Sequence, residues 1–397
     1  MEADTTFVWS DNWYIEEGKA WFVEGWRNAV CCLDLNTRVC ECIALIPGTE
    51  AKTFRRNPRV IKIANDIYCM PDLGRDIWIY QIDCGEFLQL KIYNPDHKRI
   101  SIYDYWKYEN RLYAAALGLH QILEIDLEEK EISAYYTICN SAEERLECSV
   151  RVGLDVYVVS GTSNCVYQFN LATKESVEHV LTEIKGNLNT ICYDGSKFWL
   201  SGSQREVYVW DKEKNSTMIL RDFPNDFGVY DYSGNREEIL DRKREIYDVP
   251  AFIESRFSGG YVWFIPFRTN QIIYIDIDSC QIHALEMPGE KETKESLREN
   301  SMASKYLVQY LSEDHRLGLF SLKNNRIVEI DTKNFQTEVK RFVFDYGKYV
   351  SKLQEYIFEE NKVIDREAFR YLWVKSRKNQ CQIEPIGVGE RIYNLCR

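Results

Sequence analysis

The sequence predicts an all-β protein, a seven-bladed β-propeller of four-stranded antiparallel blades with a short helical C-terminal extension. Three observations carry that prediction. A strand phrase ending in Asp or Asn recurs seven times, as AVCCLDL, IWIYQID, QILEIDL, CVYQFNL, EVYVWDK, IIYIDID and RIVEIDT. Its acidic or amide member falls at Asp34, Asp83, Asp126, Asn170, Asp211, Asp276 and Asp331. Self-similarity at a spacing of roughly forty-five residues marks a repeat architecture. Each copy divides into four short apolar runs separated by polar turns, and seven such sheets bury both their faces only when arranged radially. The 397 residues also hold 26 Tyr, 18 Phe and 10 Trp, side chains that suit a pleated, half-buried strand.

The elements follow in order within each repeat. An inner strand such as PRVIKIAN or LNTICYDG ends in a tight turn. Those turns fall at Glu17-Gly18, Ala64-Asn65, Glu109-Asn110, Val152-Gly153, Asp194-Gly195, Gly259-Gly260 and Glu313-Asp314. Gly and Asn reach the positive φ that short hairpins need. A second apolar strand follows (VYVVSG, FWLSGS, VWFIPF), then the marker strand, then a polar turn and a fourth strand. The recurring Asp or Asn is expected to end its strand by capping that turn with its side chain, a structural task and not a catalytic one. The predicted blades occupy residues 8–47, 58–99, 101–138, 146–182, 188–222, 250–287 and 304–344, with insertions at 222–249 and 287–303 flanking the sixth. Long loops beside one blade are candidate covers for a ligand site. Residues 345–397 form the extension. Tyr346, Tyr349, Val350, Leu353, Tyr356 and Ile357 recur at helical spacing, Asp365 is placed to cap a second helix with Phe369, Leu372 and Trp373, and Glu390 to Cys396 read as a strand. A pair of β-sandwiches, the competing architecture, does not explain the recurring marker phrase.

Val209-Trp210-Asp211 resembles the dipeptide that closes the third strand of WD-repeat blades, and Gly259-Gly260 with Tyr261 and Trp263 resembles a kelch blade. The general phrase is similar to divergent bacterial propeller repeats over roughly residues 12 to 344. The resemblance implies a fold and no particular activity, because one fold hosts many functions.

A formal net charge of −12 disfavours nucleic acid or an anionic membrane surface as the main partner. No apolar run approaches the length of a membrane span. The N-terminus lacks a basic segment followed by an apolar one, so no signal peptide is expected. Thirteen scattered cysteines show no disulfide or C-x-x-C spacing, so a reducing, cytoplasmic setting is expected.

No motif for a metal or cofactor emerges. The five histidines, His97, His120, His179, His283 and His315, show no paired ligand spacing. Gly161-Thr162-Ser163-Asn164-Cys165 lacks the second glycine of a nucleophile elbow, and Gly387-Val388-Gly389 is not a dinucleotide fingerprint. The turns between second and third strands are the more informative positions. They carry Trp26, Arg27, Arg75, His120, Arg205, Phe267, Arg268 and Lys323, and they should share one face. Arginines around a partly desolvated funnel favour a carboxylate, phosphate or acidic sugar, with Trp26 and Phe267 as stacking faces. The expectation is a non-catalytic binding protein or scaffold for a protein, peptide or anionic glycan-like ligand. The alternative is a hydrolase or lyase that brings acidic and basic groups together in the axial funnel.

Overall fold

A computed structural model describes residues 9–25, 27–48, 55–141, 143–225, 227, 250–267, 269, 271–285, 287, 306–321 and 326–359. The chain is a seven-bladed β-propeller of four-stranded antiparallel blades. Blade 1 comprises Tyr14–Glu16, Lys19–Glu24, Ala29–Asp34 and Val39–Leu45, and blade 2 comprises Arg59–Ile63, Asp66–Met70, Asp76–Gln81 and Glu86–Lys91. Blade 3 runs through Ile102–Tyr108, Arg111–Ala116, Gln121–Asp126 and Glu131–Thr137. Blade 4 runs through Leu146–Val152, Asp155–Ser160, Cys165–Asn170 and Ser176–Val180. Blade 5 holds Leu188–Tyr193, Phe198–Gly202, Val207–Asp211 and Ser216–Leu220, and blade 6 holds Phe252–Ser258, Tyr261–Pro266, Ile272–Asp276 and Ile282–Leu285. Blade 7 is Tyr306–Leu311, Arg316–Ser321, Arg326–Asp331 and Thr337–Lys340. The chain divides into two compact units, Met1–Gln89 with Lys340–Arg397, and Leu90–Val339. Most of both predicted insertions, the second C-terminal helix and the terminal strand lie outside the described residues.

Period-two alternation explains why the second strands are almost wholly apolar. In blade 5, Phe198 and Leu200 pack with Tyr157 and Val159 of blade 4, while Trp199 between them packs with Val262 and Phe264 of blade 6. In blade 6, Trp263 turns the other way, toward Leu317 and Leu319 of blade 7. A strand buried on both faces reads as a continuous apolar run. Polar side chains on or just before the first strands then stitch neighbours together. Asn189 Nδ2 donates to Phe252 O at 2.8 Å, the Ser149 amide donates to Asp104 Oδ2 at 3.0 Å, and Asn12 exchanges two bonds with the Val60 backbone.

The marker residues cap their turns as the sequence predicts. Oδ1 of Asp34 accepts from the Asn36 and Thr37 amides at 2.9 and 2.8 Å, and Asp126, Asn170, Asp276 and Asp331 repeat the pattern two and three residues on. Four residues after the marker the backbone turns left-handed, at Arg38, Lys130, Lys174, Asn215, Cys280 and Phe335. Blade 2 departs from the rule. There Gln81 ends the strand and Gly85 takes the left-handed position, so Asp83 falls within the turn and accepts from Asn65 Nδ2 instead. At Gly259 both reasons for glycine coincide, since φ is +67° and a Cβ would lie 2.5 Å from Thr332 O.

In the first unit the chain returns to blade 1. Val343–Phe344 pairs in parallel with Val39 and Cys40, making a five-stranded sheet. The helix α1, Tyr346–Glu359, follows at once. Asp345 caps it by accepting the Lys348 amide at 3.0 Å, and Tyr349 and Leu353, one turn apart, are buried. Among the described residues no helix is long and apolar enough to cross a membrane.

Candidate functional site

The predicted tip residues meet different fates. Trp26, Arg268 and Lys323 lie outside the described residues. Arg27 is 1% exposed, because Glu24 pairs with its guanidinium at 3.2 Å and the rings of Phe344 and Tyr349 lie 4.8 and 5.1 Å from it. Glu24 in turn accepts the Trp9 and Arg27 amides at 3.1 and 2.7 Å, so the pair is held by hydrogen bonds as well as charge. The sequence places Arg27 at an exposed hairpin tip; the chain's own C-terminal segment covers it. Arg75 is exposed. In the second unit, Arg205 is half-buried, stacked 5.5 and 5.4 Å from the rings of Phe223 and Phe227. Phe267 is half-buried and its amide donates to Ala251 O at 2.9 Å. His120 sits in a left-handed turn at φ 56°. Burial lowers the pKa of its imidazole, which contacts the backbone of Ser141 and Glu144.

His120 marks the edge of a polar site that the sequence does not announce. Two hairpin tips and two blade connections meet there: Leu117–His120 of blade 3, Gly161–Asn164 of blade 4, and the segments 138–145 and 181–187 that lead into blades 4 and 5. At its centre is the carboxylate of Glu144. It accepts from Ser160 Oγ, from Thr162 Oγ1 at 2.5 Å, from Ser163 Oγ at 2.9 Å and from the Tyr167 hydroxyl. Burial works to raise its pKa, but the four hydroxyl bonds together outweigh it and hold the group below the ordinary carboxylate value. The loops are tied to each other by backbone. The Gly161 amide donates to Arg145 O at 2.5 Å, and Gly161 O accepts from Arg145 Nη2 and Asn187 Nδ2 at 3.1 and 2.8 Å. A Cβ on Gly161 would lie 2.7 Å from Glu147 Cγ and 2.8 Å from Arg145 Nε, so any larger residue would have to displace those two side chains.

Beside this cluster opens a groove of about 380 Å³, walled by the turn Thr162–Asn164 on one side and the segment Ile184–Asn187 on the other. Asn164 links the two walls, its Nδ2 donating to Leu181 O and Ile184 O at 2.9 and 3.1 Å. Lys185 is exposed at the rim. The arrangement orders hydroxyls but does not activate them. Ser160 and Thr162 give their protons to a carboxylate whose lowered pKa makes it a weak base at neutral pH. Elsewhere in this unit, the first strand of blade 6 holds Glu254 and Arg256 in an ion pair, with Cys148 of blade 4 near both. Among the described residues, no group of three or more His, Cys, Asp or Glu side chains is arranged to hold a metal ion.

The sequence signals explain what was found and missed. Ser163 and Asn164 belong to a recognisable tip, whereas Glu144 is one of 62 acidic residues and nothing in its local sequence, SAEERLE, marks it. Lys185 lies in a connection, not a tip, so repeat logic passes it over.

No known protein family matches the sequence, and no curated protein does. Among solved structures the chain is similar to the computationally designed protein Ika8, with a TM-score of 0.49 and 10% identity over 87% of this chain and 91% of that one. It is also similar to PorZ, an essential bacterial surface component of the type-IX secretion system of Porphyromonas gingivalis, with a TM-score of 0.52 and 10% identity over 86% of this chain. The chain spans 39% of the PorZ chain. At that identity the likeness concerns the propeller fold alone.

Proposed function

We propose that this propeller is a binding protein that presents the hairpin tip of blade 4 and the connection into blade 5 to a protein, peptide or glycan-like partner. The observation that carries the reading is the groove between Thr162–Asn164 and Ile184–Asn187, built on the hydroxyl-saturated carboxylate of Glu144. A polar concavity whose walls are fixed by hydrogen bonds loses little entropy when a partner docks, and preorganisation favours binding. Hydroxyls that donate to an ionised carboxylate suit recognition better than nucleophilic attack. Arg205 and Arg75 stay in the proposal as candidate ligand-binding cations, each within its own unit.

A reducing, cytoplasmic setting is part of the proposal. The eleven cysteines among the described residues are all free, and burial pushes the thiols of Cys148 and Cys192 up to about 12. Such thiols serve as small apolar side chains.

The test is affinity capture from native extract, analysed for proteins and small molecules, with the wild type and a Ser163→Trp variant side by side. The expected outcome is a species retained by the wild type and lost when the indole fills the groove. Equal retention by both, with both folded, overturns the assignment of the groove.

A further inference from the structure

We propose that the groove recognises the hydroxyl groups of a neutral glycan, an inference that rests on the binding role assigned to the groove above. It follows from how the groove distributes its hydrogen-bond donors and acceptors. Most side-chain donors of the lining are turned inward, the exceptions being Lys185 Nζ and the second hydrogen of Asn187 Nδ2. Asn164 Nδ2 is committed to Leu181 O and Ile184 O, Asn187 Nδ2 to Gly161 O, and the Thr162 and Ser163 hydroxyls to Glu144. The orientation of the two carboxamides is fixed by these partners, because rotating either would set an oxygen against a carbonyl oxygen. Both side chains therefore keep Oδ1 as the end without a hydrogen-bond partner among the described residues. Ser163 Oγ, its proton given to Glu144, offers lone pairs.

The lining is consequently rich in acceptors, with the carboxylate of Glu144 directly behind it. Sulfate, phosphate or carboxylate groups bring acceptors and a charge of their own; they face the lining's acceptors with the Glu144 carboxylate behind them, and Lys185 is the one side-chain cation of the lining. Lys185 at the rim disfavours a cation. Ile184 is 2% exposed, so the groove lacks the apolar anchor that peptide recognition uses. What remains is an uncharged ligand dense in donors, and the hydroxyls of a sugar ring are that. They also accept, which gives Lys185 a role. A volume of about 380 Å³ suits a terminal sugar or a disaccharide. The sign is the reverse of the anionic ligand that the arginine-bearing tips suggest from sequence.

The experiment is saturation-transfer NMR and titration calorimetry with two matched series of disaccharides, neutral (glucose-, galactose- and mannose-terminated) and uronic-acid-terminated. A neutral disaccharide is expected to bind, and Ser163→Ala and Asn187→Ala should each weaken it about tenfold, the effect of losing one ligand hydrogen bond. Asn187→Ala also removes the bond to Gly161 O, so amide-exchange protection at Gly161 is measured on each variant to separate a lost ligand contact from a loosened blade 4 tip. Lys185→Ala should change affinity by about threefold or less. Preferential binding of uronic acids, abolished by Lys185→Glu, overturns the neutral-glycan assignment while leaving the groove a binding site. If neither series binds, the neutral-glycan assignment falls. If a disaccharide binds but ignores Ser163→Ala and Asn187→Ala, the groove reading falls with it.

Discussion

The tips of blade 1 and blade 4 occupy the same place in the repeat and have been put to opposite uses. In blade 1 the turn after Glu24 is sealed. Its arginine is enclosed by Glu24, Phe344 and Tyr349, and the strand Val343–Phe344 and helix α1 lie on the same blade. In blade 4 the turn after Ser160 is open. Its hydroxyls are ordered by Glu144, but one wall of the turn faces a groove. Both tips use a buried or half-buried carboxylate as the organiser. The difference lies in what the carboxylate is given: a guanidinium in one case, which completes a packed ion pair, and neutral hydroxyls in the other, which keep acceptor capacity for something else. A charged residue at a repeat position is therefore no measure of that position's availability.

The largest expected effect breaks the sealed tip. Arg27→Ala leaves the buried Glu24 side chain without its partner, and loss of one partner of a buried pair costs about 3–5 kcal/mol. Urea unfolding should show this loss for Arg27→Ala. The formally similar Arg75→Ala, at an exposed turn, should fall within about 0.5 kcal/mol of the wild type. Equal effects from the two would remove the distinction between them.

That pair also shows where sequence reading stops. The strands, the marker turns and the first turns of each blade were legible because their causes are local: alternation, Asx capping and positive φ all involve neighbours a few residues apart. Helix α1 was legible from the spacing of Tyr349 and Leu353 for the same reason. Arg27 was not, since its burial depends on Phe344 and Tyr349, which lie more than three hundred positions along the chain. Glu144 escaped for a related cause. Its partners Ser160, Thr162 and Ser163 sit across a blade connection, and no spacing rule links a connection to the next hairpin tip. Asp83 is a smaller instance, in which a turn displaced by two residues moved the marker off its strand end.

The open tip should be the more acid-sensitive of the two. His120 is pushed below its ordinary 6.5 by burial, so its neutral form is favoured in the folded state. The stability it protects is complete above about pH 6.5 and is lost as pH falls through its lower folded value. Glu144, held below 4.5, repeats the pattern at lower pH: its contribution is present above 4.5 and lost as pH falls through the folded value. Protection factors for amide exchange at Gly161 and Thr162 should therefore fall in two steps on acidification. His120→Gln removes the upper step and Glu144→Gln the lower. A single step unchanged by both substitutions would show that neither group holds the tip.

The smallest effect sharpens the comparison most. Lys185 is exposed and lines the groove, with no ion pair among the described residues, so Lys185→Ala should leave the unfolding free energy within about 0.5 kcal/mol of the wild type. An arginine in the sealed tip is held by packing and charge together; a lysine at the open rim is held by neither. If Lys185→Ala costs as much as a kilocalorie per mole, its side chain is packed and the groove is a seam between loops. A null result leaves the rim free, and then whatever occupies the groove meets a surface that folding itself has not used.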